Sequence, residues 1–589
     1  MAPKKTRKPF LLALVSASLL SALPACQTSA PPGSSPEAPP AEPPAFAGAP
    51  PEAPAAPAAE APPSAAKETP AAPVAPTAPA APAEETPAEP ATPAKETPPE
   101  PVVPAKETPA EPAAPAKETP AEPAAAALSG DCRALYDEIR AADEAIPENL
   151  SALGAEEADR LARRVEDMIA AAKRFDSECR DAPVAAEVKF FRAKGLFLLS
   201  ERFRLRQVEA LRASGVENVS PLVAERLKAY HGEVQDFLRS ALEKLPADSP
   251  LRRRALVYLG MAASEGGDHE SAFEAYQKYL EQHPDDQELD RILLALAREC
   301  LELGRFDLGV DFAERVQKDY FDRESYVSAG ELLWRLHHAR GDLDQLWEQT
   351  QTVDTVYPLK LASASLSRQH RDRLRLYLSY NGFRKGYVLL ARGDCEGAAK
   401  AFREHLAAVE NSPDATSAEK VIAMRSRKNL DFAEKLCGKP APRDLELLWT
   451  TAKTAKLAES RGKAVILVFR GVGDERSRGI LAPLSELAAS SPDIEVVLIS
   501  YLFSGHDPDD RAQAMRDEIV QADYSGPAGF DPDSEGRSLF RAFLANVGSA
   551  TLEVVAPDGT LRWIQEDPRP LDAGFVKALV QRLLSERTK

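Results

Sequence analysis

Proline runs through residues 31–127 at a density that leaves no room for a helix or a sheet. Its ring fixes φ and its nitrogen has no proton to donate, so each occurrence removes a backbone hydrogen bond. The residues between are Ala, Glu, Thr and Lys, which offer too little apolar surface for a core. An 11-residue repeat, Pro-Ala-Lys-Glu-Thr-Pro-Pro/Ala-Glu-Pro, starts at Pro93, Pro104 and Pro115. The composition therefore predicts a disordered, polyproline II-like linker over residues 26–127. About 97 residues at ~3.1 Å each would reach about 300 Å, and as a flexible coil the same stretch would span roughly 55 Å. A spacer that carries a folded part away from a surface fits this composition. Low-complexity drift with no selected length fits it as well.

Ahead of the linker, Lys4, Lys5, Arg7 and Lys8 precede an apolar run from Phe10 to Leu20. A basic patch before a short apolar run is an export signal, too short for a stable membrane span. The run ends in Leu23-Pro24-Ala25-Cys26. This resembles the lipobox of bacterial lipoproteins, in which small residues precede a Cys that is acylated and becomes the mature N-terminus. The resemblance implies a signal peptide over 1–25, a lipid such as palmitate on Cys26, and a membrane anchor. Buried acyl chains hold a soluble protein at a bilayer by about 0.8 kcal/mol per CH2. An ordinary signal peptide cut near Ala22 or Ala25 would instead leave Cys26 free. Gln27 follows the Cys, where Asp tends to retain such proteins at the inner membrane, so an outer-membrane anchor facing the periplasm is expected. The chain carries a formal charge of −18. Loss of residues 1–25 takes four positive charges and leaves −22, a poor surface for nucleic acid.

From residue 128 to about 440 Pro becomes rare, and Leu, Ala, Arg and Glu recur at helical spacing. Leu259-Gly260, Gly267, Ala272, Tyr276 and Pro284 match the offsets of the tetratricopeptide repeat. Gly260 and Ala272 would let two helices approach, Tyr276 would fill the space beside them, and Pro284 would stop the second helix. Gly304-Arg305-Phe306 repeats the turn 37 residues later, with Gly309 at the small-residue place. Gly341-Asp342 repeats it after another 37, with Leu346 at that place. A fuller copy stands at Gly386, Gly393, Ala398 and Phe402. The segment from Cys132 to about Ser240 has amphipathic helices without this signature. Arrays of this kind usually hold a peptide or helix in their groove, so the resemblance implies a protein partner. Basic residues cluster at Arg368, His370, Arg371, Arg373 and Arg375, then Arg384 and Lys385. They could form a patch for an acidic partner, of which Arg368, Arg371, Arg373 and Arg375 are the candidate contacts. An ordinary solvated helix face would show the same run.

The other five cysteines are Cys132, Cys179, Cys300, Cys395 and Cys437. Export would place them where disulfides persist. Cys132 opens a predicted helical hairpin and Cys179 closes it, so their side chains should meet. Cys395 and Cys437 stand in the same relation. Cys300 lies on an apolar face with Leu296 and Leu303. No Cys-x-x-Cys and no Cys/His cluster of ligand spacing occurs, so neither metal nor cofactor is expected.

From residue 441 to 589 strand and helix patterns alternate. A helix is predicted from Asp444 to about Ser460, a strand over Ala464–Phe469, a helix around Ile480–Ala489 and a strand over Ile494–Ser500. Helices near Arg511–Gln521 and Ser538–Ala545 follow. The run closes with a hairpin, Leu552–Val555 and Leu561–Ile564 around Pro557-Asp558-Gly559, and a helix Phe575–Leu584. A parallel core with a final hairpin resembles the thioredoxin fold, and Gly462-Lys463 with the strand ending at Phe469 looks like a thioredoxin-like family of periplasmic domains. In that fold an active Cys pair opens the helix after the first core strand. Counted from Phe469 those places hold Asp474 and Ser477, and counted from Pro483 they hold Glu475 and Arg478. The cis-Pro place holds Ala550, where a cis bond would cost about 3–4 kcal/mol. Without a thiolate there is no nucleophile for disulfide exchange, and the domain is expected to bind or pack. Asp531, Asp533, Glu535 and Gly536 imitate the front of a calcium loop, but Pro532 and Ala542 break it, and helix capping explains them. Ser504, His506 and Asp507 crowd one loop too closely for a triad.

The fold expected is thus multidomain: a disordered Pro/Ala-rich tether, an all-α helical-repeat domain, then an α/β thioredoxin-like domain. The function expected is a lipid-anchored, non-enzymatic scaffold or assembly factor of the cell envelope, its possible contacts extending to the cell wall. The competing expectation is thiol–disulfide exchange through a lone cysteine such as Cys437 or Cys300.

Overall fold

The computed structural model describes residues 128–147, 155–213, 220–362, 367–442, 444–472, 474, 478–501, 508–531, 539–545, 550–569 and 572–587. Cys26 and the linker lie outside these residues, as do Glu475, Ser477, Ser504, His506, Asp507, Asp533, Glu535 and Gly536.

Thirteen helices come first among the described residues: α1 (Gly130–Glu144), α2 (Ala155–Glu178), α3 (Ala185–Ala213), α4 (Ser220–Lys244), α5 (Pro250–Glu265), α6 (His269–Gln282), α7 (Leu289–Glu302), α8 (Phe306–Asp319), α9 (Ser325–Arg340), α10 (Leu343–Leu361), α11 (Arg368–Ala391), α12 (Cys395–Glu410) and α13 (Ser417–Lys435). From α5 onward the turn chemistry repeats. Gly267, Gly304, Gly341 and Gly393 all sit at φ between 70° and 81°, a backbone state that L side chains resist and glycine accepts. Asp268, Asp342 and Asp394 follow three of them, and each carboxylate accepts the N–H of the residue three places on. Glycine ends one helix and aspartate starts the next. Inside the hairpins a Cβ on Gly260 would fall 2.5 Å from the Tyr276 ring, and one on Gly386 would fall 2.5 Å from the Phe402 ring. The two best copies of the repeat are packed the same way. The wider gap from Gly341 to Gly393 comes from longer helices, 19 residues in α10 and 24 in α11 against 14 in α8 and 16 in α9.

The α/β part holds β1 (Leu448–Trp449), β2 (Ala464–Arg470), α14 (Leu481–Ala489), β3 (Ile494–Tyr501), α15 (Pro508–Gln521), β4 (Ala528–Asp531), α16 (Leu539–Ala542), β5 (Thr551–Val555), β6 (Leu561–Glu566) and α17 (Asp572–Glu586). Its sheet runs β1-β4-β3-β2-β5-β6, with β2, β3 and β4 parallel and β5 and β6 antiparallel. A parallel core closed by a hairpin is the thioredoxin-like arrangement.

Two elements differ from the sequence reading. Residues 444–460 form no helix. The Asp444 carboxylate accepts the N–H groups of Leu445 and Leu457, folding the stretch onto itself. Leu448 and Trp449 pair with Phe530 and Gly529. The open edge of β4 competes for these backbone groups and wins over helix propensity. Strand β4 itself was not expected, because Ala528-Gly529-Phe530-Asp531 is short and interrupted by glycine. The helix predicted over Ser538–Ala545 is described only as Leu539–Ala542, and Leu544 turns to φ 55° just after it.

The repeat array and the sheet share one core. Leu346, Tyr387, Val388, Phe402 and Phe432 are buried in the same cluster as Val465, Trp563 and Phe575. Beyond α13 the chain runs along β6: the Gly438 N–H donates to Leu561 O (2.7 Å) and the Leu561 N–H donates to Lys439 O (2.9 Å). The boundary expected at 440 is therefore a continuous seam.

Candidate functional site

Glu331, Trp334, Arg335 and His338 of α9 stand at i, i+3, i+4 and i+7, which places them on one helix face. Tyr380, Phe383, Arg384 and Tyr387 repeat that spacing on α11, and Arg425 and Asn429 share a face of α13. These faces converge on β6 and the first turn of α17 around a pocket of about 250 Å3. The helices concerned are the first members of successive hairpins, so β6 and α17 occupy part of the surface expected to meet a partner.

Aromatic rings line the pocket. Tyr380 and Phe383 stack with centroids 5.4 Å apart, and the Arg384 guanidinium lies 4.5 Å from the Trp334 ring and 4.8 Å from Tyr380. Arg384 is buried. Burial opposes its charge, but the Glu331 carboxylate bonded to it holds its pKa above the ordinary value. On the α17 side His338 stacks on Phe575 and its Nε2 lies 3.0 Å from the Tyr387 hydroxyl. Burial pushes the His338 pKa down and that of Tyr387 far up. Asp572 accepts from the Arg569 N–H (2.7 Å) and from Gln565 Nε2 (2.5 Å). Glu566 accepts from Lys428 Nζ at 2.8 Å.

Two buried side chains of this region carry oxygens that accept no hydrogen bond, Asn429 in the lining and Glu553 outside it. Asn429 is 5% exposed and its Oδ1 accepts no hydrogen bond. Glu553, on β5 beside Ile564, is fully buried with neither carboxylate oxygen bonded. Burial raises its pKa well above the usual carboxylate range, with Lys428 acting against that shift.

At the place where a thioredoxin-like domain carries thiols, β2 ends in Arg470. Its buried guanidinium donates to Asp474 O (2.5 Å) and to Glu518 Oε1 (2.7 Å), and Arg478 meets the same Glu518 oxygen at 3.3 Å. The sequence from 438 to 589 contains no cysteine. Of the calcium-like residues, Asp531 is buried and accepts from the Phe540 N–H, a cap on α16.

The structure joins Cys132 to Cys179 and Cys395 to Cys437, and leaves Cys300 as a buried thiol whose pKa burial pushes up to about 11. Several members of the basic cluster on α11 meet acidic or aromatic neighbours. Arg368 and Arg375 both reach Asp372, His370 reaches Glu324, Arg373 lies over the Tyr377 ring, and Lys385 pairs with Asp354. Arg371 is half-buried near the start of the helix, and Arg384 belongs to the pocket. Arg368, Arg371 and Arg375 stand at i, i+3 and i+7 on one face of α11, with Asp372 among them bonded to Arg368 and Arg375, while Arg373, Arg384 and Lys385 lie off that face. The pocket residues were missed. Their signal was the i, i+3, i+4, i+7 run of aromatic and charged residues on two successive first helices.

The tetratricopeptide repeat family matches residues 254–286, the α5–α6 hairpin. No curated protein matches the chain as a sequence. Among solved structures, a thiol:disulfide interchange protein of the thioredoxin family from Chlorobium tepidum is similar at 17% identity, over 25% of this chain and 98% of that one, with a TM-score of 0.21. A thiol-disulfide isomerase from Corynebacterium glutamicum is similar at 16% identity, over 24% and 96%, with a TM-score of 0.21. The thioredoxin domain of a thiol-disulfide oxidoreductase from Bacteroides vulgatus gives the same values. The chain thus carries a tetratricopeptide repeat, generally a protein-interaction module, followed by an α/β part with a six-stranded sheet.

Proposed function

We propose that the chain is a non-enzymatic protein-binding scaffold, held at the outer membrane of a bacterial envelope by a lipid on Cys26, facing the periplasm and reaching from the anchor on its Pro-rich linker. One observation carries the binding role: the first-helix faces of the repeat array and β6 converge on an aromatic pocket. The absence of cysteine from 438 onward supports a redox-inactive role for the thioredoxin-like part. Thiol–disulfide exchange by a lone cysteine finds little support: Cys300 is buried with a raised pKa, and Cys437 is bonded to Cys395. Crosslinking and pull-down from the native membrane test the scaffold. Recovery of a stoichiometric partner is expected, and recovery of none overturns it. Cys26→Ala should abolish labelling by radioactive palmitate and release the protein from membranes. Unchanged labelling would refute the anchor.

A further inference from the structure

The pocket at the seam has two chemical zones. Its walls are apolar: Trp334, Phe383, Tyr387 and Ile564 leave about 250 Å3, room on the scale of one large side chain. Asn429 belongs to the lining, but its Oδ1 is enclosed among the packed side chains and faces no open space. The rim is cationic. Arg335, Arg425 and Arg569 all line the opening. Arg569 is exposed and makes no ion pair among the described residues, Arg335 is 3.6 Å from Glu302, and Arg425 is 3.3 Å from Asp567. The three carboxylates of the lining are already engaged: Glu331 by Arg384, Glu566 by Lys428 and Asp572 by Gln565 and the Arg569 N–H. Of the three rim arginines, Arg569 is the one with no ion pair among the described residues, and it leaves an exposed guanidinium at the pocket.

We propose that this pocket receives an extended peptide segment of a partner protein in which one large apolar residue is flanked by carboxylates. This rests on the scaffold reading and names its site and ligand class. The apolar side chain fills the aromatic chamber, and the flanking carboxylates meet the rim arginines, whose planar fork suits a carboxylate. The zones select together. A basic segment is repelled at the rim, and an acidic segment without the apolar residue leaves the chamber empty.

Fluorescence anisotropy of the purified full-length chain with labelled Gly-Asp-Phe-Asp-Gly, Gly-Asp-Ala-Asp-Gly and Gly-Lys-Phe-Lys-Gly tests this. The first peptide should bind at least ten-fold tighter than either of the others. Arg569→Glu, an exposed change expected to leave the melting temperature alone, should weaken the first peptide at least five-fold. Equal binding of the three peptides, no binding of any, or indifference of the first peptide to Arg569→Glu overturns the proposal. The two readings fail separately. If a native partner is recovered in full by the Arg569→Glu chain, the scaffold stands and the pocket is not its site. If no partner is recovered by the unaltered chain, the scaffold itself falls.

Discussion

The imidazole of His338 lies flat on the ring of Phe575, centroids 4.4 Å apart and planes within 5°. One ring belongs to the repeat array and the other to the thioredoxin-like part, so a titratable group sits in the seam that joins them. Burial holds the imidazole pKa below its ordinary value, with the Asp572 carboxylate opposing that shift and Arg384 reinforcing it.

This makes the seam acid-sensitive. A histidine released from the seam takes up a proton near pH 6.5 that the packed ring refuses, so its contribution is complete above that pH and is lost as pH falls toward the lower folded value. His283, His337 and His405 are shifted the same way by burial. The melting temperature should fall between about pH 7.5 and about pH 5.5. His338→Phe keeps a stacked ring without a proton to exchange and should flatten that slope, whereas identical slopes for the two chains would remove His338 from the account.

Glu553 has the opposite sign. Its folded pKa is raised by burial, so the unfolded chain releases a proton that the folded one keeps, and stability declines as pH rises above the ordinary carboxylate value. Glu553→Gln removes that term. The variant should match the parent near pH 5 and melt higher near pH 8, and a gap independent of pH would show that the carboxyl does not titrate in this way.

The close approaches inside the hairpins predict a cost for one added methyl. Gly386→Ala drives a Cβ to 2.5 Å from the Phe402 ring, and overpacking of this kind costs about 1–3 kcal/mol. Urea denaturation should show it as a lower midpoint. Phe402→Leu in the same chain should recover part of the loss, because it frees the space that the methyl needs.

The link between Cys395 and Cys437 closes a sequence separation of 42 residues and ends beside the stretch that pairs with β6. Replacing both cysteines by Ala should lower stability by about 2–4 kcal/mol. Hydrogen exchange of the Gly438 and Leu561 amides should rise more than that of β2. Equal change across the sheet would mean that the link acts on the unfolded chain alone.

Much of the array was legible because its signals are local. Gly267 and Asp268 stop one helix and start the next through their own backbone and side chain, and Gly260 with Tyr276 needs only the adjacent helix. Strands β2, β3, β5 and β6 were legible as apolar runs. The stretch 444–460 was not, because its helical composition lost to pairing with β4, a strand too short to announce itself. The pocket was not legible because Trp334, Phe383, Asn429 and Ile564 are far apart in sequence and meet only when the sheet docks.

By itself the sequence determined where helices turn, which strands are apolar enough to be interior, and that the thioredoxin-like stretch carries no thiol. These follow from dihedral preference, periodicity and residue identity, all properties of neighbours along the chain. Only the tertiary structure decided that the two folded parts share one core, that His338 meets Phe575, and that Asn429 Oδ1 and the Glu553 carboxyl are buried without partners. Those outcomes depend on which distant surfaces exclude water together, and burial is a property of the packed whole that no local pattern encodes.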